Sequence, residues 1–192
     1  MITDEKGYWP EIRGKTLRQV AEDYLHTTDY AEAAAEVLTR THGETTGSFF
    51  VMSEDDMLYF LSQDICIGSD GFAFAADPEK IPSIPHPRSF GTFPEFFRLV
   101  RERQFCSLEQ AVRRATSKAA DMLGMKDRGM LREGMIADIT VFDPDMIAPC
   151  ATHIDPIQLS TGVHHVIING EIALHNGTQT RSRCGQILRK LV

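Results

Sequence analysis

Ile65-Cys66-Ile67-Gly68-Ser69-Asp70-Gly71 is the stretch that decides how this chain is read, and a proline-rich run ending Pro85-His86-Pro87-Arg88 follows it. The apolar residues alternate β-branched with small ones, which predicts a short buried strand. Gly71 then offers the backbone a turn that few other residues make. Asp70 is thereby placed where a strand ends and a loop begins. In a parallel barrel that edge is the catalytic face, so an acid there reads as chemistry. The plainer reading has Asp70 accepting hydrogen bonds in an ordinary Asp-Gly turn. The residues by themselves leave both readings open.

A length of 192 residues suffices for one medium domain or two small ones. A hydrophobic content of 42% with 24% charged residues is that of a soluble globular chain. No apolar run is long enough to span a bilayer, so no membrane partner is expected. Met1–Lys6 has neither the basic start nor the apolar stretch of a secretory signal. Cys66, Cys106, Cys150 and Cys184 form no CxxC pair and no zinc-ribbon spacing. They read as free thiols of a cytoplasmic protein. The whole net charge of −7 falls within residues 1–60, and the rest of the chain balances. Without a basic patch, nucleic acid is not an expected partner.

Three parts differ in pattern. Residues 1–47 look helical. Thr16-Leu17-Arg18-Gln19 is a capping-box sequence, and Leu17, Val20, Ala21, Tyr24 and Leu25 then share one face. A second helix is expected over Tyr30–Leu38, with Ala33, Ala34, Val37 and Leu38 inward. Residues 48–125 alternate strand and helix. Ser48–Val51 reads as a buried strand, Ser53 as the cap of a helix ending near Leu61, and Ile65–Gly68 as the next strand. A long loop from Gly71 to Thr92, with Pro78, Pro82, Pro85 and Pro87, precedes a helix opening at Thr92-Phe93-Pro94-Glu95. Ser107 caps a further helix, with Leu108, Ala111, Val112, Ala115, Ala119 and Leu123 on one face and Gly124 as its stop. Residues 126–192 turn to strand, with Ile136–Phe142 and a hairpin of Val163–Ile168, Asn169-Gly170 and Glu171–Leu174.

Several motifs together resemble the N-acyl-D-amino-acid deacylases (D-aminoacylases) of the amidohydrolase superfamily. They are Ile67-Gly68-Ser69-Asp70-Gly71, His86-Pro87-Arg88-Ser89-Phe90-Gly91-Thr92-Phe93-Pro94, Leu108–Val112, Thr116–Ala120, Asp127-Arg128-Gly129, Gly134–Asp138, Phe142-Asp143-Pro144 and His165–Gly170. The likeness covers nearly all of residues 48–190. It implies an α/β fold: the C-terminal portion of a TIM-type (β/α)8 metal-dependent hydrolase barrel plus strands of a small β-sandwich domain. Residues 1–47 would be a helical insertion, 48–125 the last strands and helices of the barrel, and 126–192 the C-terminal part of the small β domain.

The resemblance also implies roles. Asp70 matches the carboxylate that takes a proton from water and returns it to the leaving amine. Arg88 matches the arginine that binds the substrate carboxylate, a task suited to a guanidinium fork. Met52 would lie near the acyl or side-chain pocket. His86 would touch substrate, against the alternative of a simple loop histidine. The substrate class implied is a small N-acyl-D-amino acid.

Zinc is the cofactor of the full-length family. The family's His-x-His, its bridging cysteine or carboxylated lysine, and its two mid-barrel histidines have no counterpart among the seven histidines here. His164 and His165 are adjacent on a strand and point to opposite faces. The chain alone is therefore expected to bind no zinc. Asp70 would be a ligand only if another chain supplied the rest. The expected partners are a chain carrying the N-terminal half, or a second copy, because a part-barrel leaves strand edges unpaired. The expected activity is zinc-dependent amide hydrolysis, with the isolated chain inactive. The alternatives are a non-catalytic remnant or binding module, and another amidohydrolase such as a dihydropyrimidinase-like cyclic amidase; His86-Pro87-Arg88 argues against the last.

Overall fold

The computed structural model describes residues 1–4, 6–81 and 84–189. Pro82 of the proline-rich run lies outside them. Helices and strands are mixed, and the apolar side chains gather in two clusters.

The first cluster forms around Ile2, Trp9, Ile12, Val20 and Val37. Strand β1 (Ile2–Asp4) pairs antiparallel with β2 (Thr45–Gly47), Thr3 opposite Thr46. Asp4 is buried, and its carboxylate accepts the backbone N–H groups of Gly7, Tyr8 and Trp9 at 3.1, 3.2 and 2.6 Å. Those three bonds offset the cost of burying the group. The capping box at Thr16 forms as its sequence predicts. The helix it starts, α1 (Leu17–Gln19), widens at once into a π-helical turn over Val20–Tyr24. Helix α2 (Tyr30–Arg40) is capped by Asp29 and buries Ala33 and Val37. Leu38 was expected inward but is exposed, because the cluster meets a stripe narrower than the apolar face.

Between the clusters the structure corrects the expected alternation of strand and helix. Ser48–Val51 is not a buried strand, and Phe49, Phe50 and Val51 are 83%, 77% and 89% exposed. Ladder pairing stops at Gly47, and no described strand lies alongside the next four residues. Ile65–Gly68 is likewise extended without a ladder. A strand is defined by its neighbours, and neither run has one. Helix α3 (Glu54–Ser62), between them, is capped by Ser53 as its sequence predicts.

The segment before Asp70 is instead held by one side chain. Arg114 is 2% exposed. Its Nε donates to the carbonyl of Ile65 at 2.8 Å and its Nη1 to that of Leu61 at 2.7 Å. The Arg114 carbonyl accepts the Ile67 N–H at 3.4 Å. The guanidinium also lies 5.0 Å from the centre of the Phe96 ring. Its Nη2 is buried without a hydrogen-bond partner among the described residues. Carbonyls and an aromatic face thus replace water around a buried cation.

Helix α4 (Arg88–Arg103) is the spine of the second cluster and buries Phe96, Phe97, Leu99 and Val100. It begins at Arg88, a full turn before the expected start, so Pro94 lies inside it. Proline cannot bond the carbonyl four residues back. That carbonyl, on Phe90, accepts the Ser160 hydroxyl at 3.2 Å instead. The helix capped by Ser107 is two: α5 (Leu108–Ala115) and α6 (Ser117–Leu123) meet at Thr116, where the backbone leaves helical geometry. Leu108, Val112 and Leu123, expected inward, are exposed, while Ala111 and Ala120 are buried. Gly124 ends α6 as expected.

Strands β3 (Ile139–Phe142), β4 (Val163–Ile168), β5 (Glu171–His175) and β6 (Thr178–Gln179) form one antiparallel sheet in that order. Asn169 and Gly170 both have positive φ, 52° and 81°, as the hairpin signature requires. Phe142 and Val163 pack the sheet onto the α4 cluster, with the Phe142 and Phe97 rings 5.0 Å apart. No described helix is long and apolar enough to cross a membrane. All four cysteines are free.

Replacing Arg114 by Met keeps much of the stem volume and removes every donor. The Leu61 and Ile65 carbonyls then lose their partners, and a loss of about 2–4 kcal/mol is expected. Urea unfolding followed by far-UV circular dichroism measures it; an unchanged midpoint would show that something else holds residues 61–67.

Candidate functional site

Two local features bring Asp70 to the start of α4. Asp70 takes a left-handed backbone, φ 49°, which Asp tolerates better than most residues. The turn is therefore made at Asp70, whereas Gly71 was expected to make it. Gly71 serves a different need. A Cβ there would stand 2.8 Å from the Cα of Ser89 and 3.2 Å from the Arg88 carbonyl, so only glycine lets the two backbones lie this close. The Ser89 hydroxyl then accepts the Phe72 N–H at 3.2 Å.

The result is an ion pair between residues far apart in sequence: Arg88 Nη2 lies 2.8 Å from Asp70 Oδ2. Both side chains reach solvent, Asp70 at 86% and Arg88 at 43%. His86 joins them, because its Nδ1 accepts the backbone N–H of Arg88 at 3.1 Å. The carbonyl of His86 also accepts the Ser89 N–H, which fixes the entry to the helix.

A second histidine enters from a distant loop. The His153 ring meets the His86 ring edge-on, with centres 4.9 Å apart. Its Nδ1 lies 3.5 Å from the Ser48 hydroxyl. His86 stays exposed beside the His153 ring, and its partial burial pushes it below the ordinary histidine range. His153 and the Arg88 cation push it the same way, and Asp70 opposes them. His153 is lowered chiefly by burial and next by the terminal amine. Sequence reasoning gave His153 no role: it sits in an irregular loop without a motif, and only its packing marks it.

Asp70, Arg88 and His86, singled out from the sequence, are thus together. Met52 is exposed and takes no part in their hydrogen bonds or ion pairs among the described residues. Nor do three or more His, Cys, Asp or Glu side chains converge as metal ligands among the described residues. With Asp70 engaged by Arg88, the donors present do not by themselves fit zinc, which takes three or four protein ligands.

The family model that matches covers residues 69–174 and is that of the amidohydrolases. The chain belongs to the amidohydrolase family. Asp70, Arg88, His86 and His153 all lie in the matched segment. An N-acyl-D-aspartate deacylase of Alcaligenes xylosoxydans xylosoxydans is 37% identical over 190 residues, 98% of this chain and 35% of that protein. An N-acyl-D-glutamate deacylase of the same organism is 33% identical over 183 residues, 94% of this chain and 34% of its own length. Among solved structures, the N-acyl-D-glutamate deacylase of Bordetella bronchiseptica, complexed with zinc and a phosphonate inhibitor, superposes with a TM-score of 0.70 at 33% identity, over 90% of this chain and 34% of that one. A D-aminoacylase gives a TM-score of 0.76 at 30% identity, over 96% and 36%. The chain spans about a third of the length of the relatives it matches.

The lowered histidines make a stability prediction with a definite sign. A histidine whose pKa is depressed on folding favours the folded state above the unfolded value of about 6.5 and loses that contribution as pH falls. The unfolding free energy should therefore drop between pH 7 and pH 5, and less steeply in His86→Gln. Parallel urea titrations of the two proteins at both pH values check this; equal slopes would show that His86 does not contribute.

Proposed function

We propose that this chain supplies the proton-transferring carboxylate and the carboxylate-binding arginine of an N-acyl-D-amino-acid deacylase. The observation that carries the reading is the meeting of Asp70 and Arg88, inside the family segment, at the junction of a turn and a helix start. A water oxygen attacks the amide carbonyl carbon and Asp70 accepts its proton. The C–N bond then breaks, and Asp70 returns the proton to the departing amine. The products are a carboxylate and a free D-amino acid. Arg88 holds the substrate's carboxylate through a two-pronged hydrogen bond, which fixes the amide relative to Asp70. His86 contacts substrate beside Arg88, and Met52 borders the acyl pocket. Zinc belongs to the whole enzyme in this reading; its ligands come from outside this chain, with Asp70 at most an addition to them.

Residues 1–47 are then a helical segment near the substrate. Residues 48–125 supply the last strands and helices of a (β/α)8 barrel, and residues 126–192 supply part of a small β-sandwich domain. The exposure of Phe49, Phe50, Val51 and Phe72 supports this. Large apolar side chains left in solvent are the kind that adjoining barrel strands cover. The expected partner is a polypeptide or segment carrying those strands, or failing that a second copy, in the cytoplasm. A non-catalytic role is the second reading for the chain by itself, favoured by the lack of a ligand cluster among the described residues.

The test is co-expression of this chain with the leading two-thirds of the Alcaligenes N-acyl-D-aspartate deacylase, assaying release of D-aspartate from N-acetyl-D-aspartate. Activity is expected only in the mixture. Asp70→Asn should lower kcat about 10²–10⁴-fold. Arg88→Ala should raise KM about 10–100-fold. Full activity in Asp70→Asn would overturn the catalytic assignment.

A further inference from the structure

We infer that His165 and His175, with Asn176 between them, form a surface site for a divalent transition metal of the copper(II) or nickel(II) class. None of the three belongs to the group around Asp70 and Arg88. The strand register brings them together. His165 on β4 stands directly opposite His175 on β5. Directly opposed residues of an antiparallel pair share one face. The two rings accordingly lie with centres 4.9 Å apart and planes 39° from each other. His164 points the other way by the alternation of the strand. Adjacent histidines cannot chelate one ion, but the fold gives His165 a different histidine from the next strand.

A nitrogen lone pair of each ring is turned toward the same residue. His165 Nδ1 accepts the backbone N–H of Asn176 at 3.5 Å. His175 Nε2 accepts from the Asn176 side-chain amide nitrogen at 3.4 Å. Both contacts are long for hydrogen bonds, so an ion displaces them at small cost. Asn176 and Gly177 both have positive φ, 48° and 74°, and the Gly177 N–H bonds the His164 carbonyl. This Asn-Gly turn fixes the end of β5 and with it the place of His175. An amide turned over exchanges its nitrogen for its oxygen, so Asn176 offers Oδ1 as a third ligand. Imidazole nitrogens bind such ions at about 2 Å, within the reach of rings this close together. Two imidazoles and an amide oxygen, completed by water, suit the tetragonal N,O sets of copper(II) and nickel(II), and copper(II) heads the affinity order. Zinc is held less well, since it takes three or four protein ligands. The row across the sheet continues to Val141 beside His165 and Thr178 beside His175. Neither carries a charge, so nothing in the row repels the ion.

Calorimetric titration of the 192-residue protein with Cu²⁺ in a weakly coordinating buffer tests this. The tightest site should weaken about a hundred-fold in His165→Gln and in His175→Gln, because each leaves a single imidazole. It should be unchanged in His164→Gln, on the opposite face, and in His153→Gln, which breaks the other pair of facing rings. The electron paramagnetic resonance spectrum at one equivalent of Cu²⁺ should show two imidazole nitrogens on the metal, and one in His175→Gln. His175 is exposed, so that variant keeps the sheet and decides the outcome if His165→Gln does not fold. The assignment is overturned if no saturable site is found, if the tightest site survives His175→Gln, or if His164→Gln or His153→Gln weakens it equally.

Discussion

The hold of Arg114 on the carbonyls of Leu61 and Ile65 is the constraint on which the site depends. The residues leading to Asp70 have no described strand beside them, so their backbone polar groups need partners from elsewhere. One buried guanidinium bonds two of those carbonyls from α5, and its own carbonyl takes the Ile67 N–H. The arginine is in turn fixed by the Phe96 ring on α4. The helix pair that forms the second apolar cluster therefore also positions the approach to Asp70.

From that anchor the site follows by contact. Gly71 lets the chain pass against Ser89 with backbone almost touching backbone. Ser89 lies one residue after Arg88, so this close approach delivers Asp70 to the guanidinium. The direction of α4 is set by packing further along. Gly91 leaves room for Pro149, whose Cβ would lie 2.9 Å from an added side chain. Ser160 satisfies the carbonyl that Pro94 frees. The loop that carries Pro149 continues to His153, so the contacts that seat the helix also bring the second histidine to His86.

Chain continuity and burial are unevenly distributed. Two compact apolar clusters form, while residues 49–52, Tyr59, Phe60, Ile65 and Phe72 put large apolar side chains into solvent. Scattered exposed apolar residues are ordinary, but a dense run of them next to the candidate site marks a surface shaped for contact. Proteins similar over this chain are about three times its length, which agrees with a site formed from more than these residues.

What the sequence by itself determined is local. The capping boxes at Thr16 and Ser107, the cap at Ser53, the stop at Gly124 and the Asn169-Gly170 hairpin each involve a few neighbouring residues, and each formed. Motif resemblance singled out Asp70, Arg88 and His86. Tertiary structure decided the rest. Two apolar runs that read as strands are not strands here, because a ladder needs a partner that no local pattern can supply. Helix α4 contains Pro94 in its interior, and a distant serine takes the carbonyl that the proline leaves free. Arg114 and His153 belong to none of the sequence motifs. Their importance comes from carbonyls and a ring dozens of residues away, which only the folded chain brings into reach.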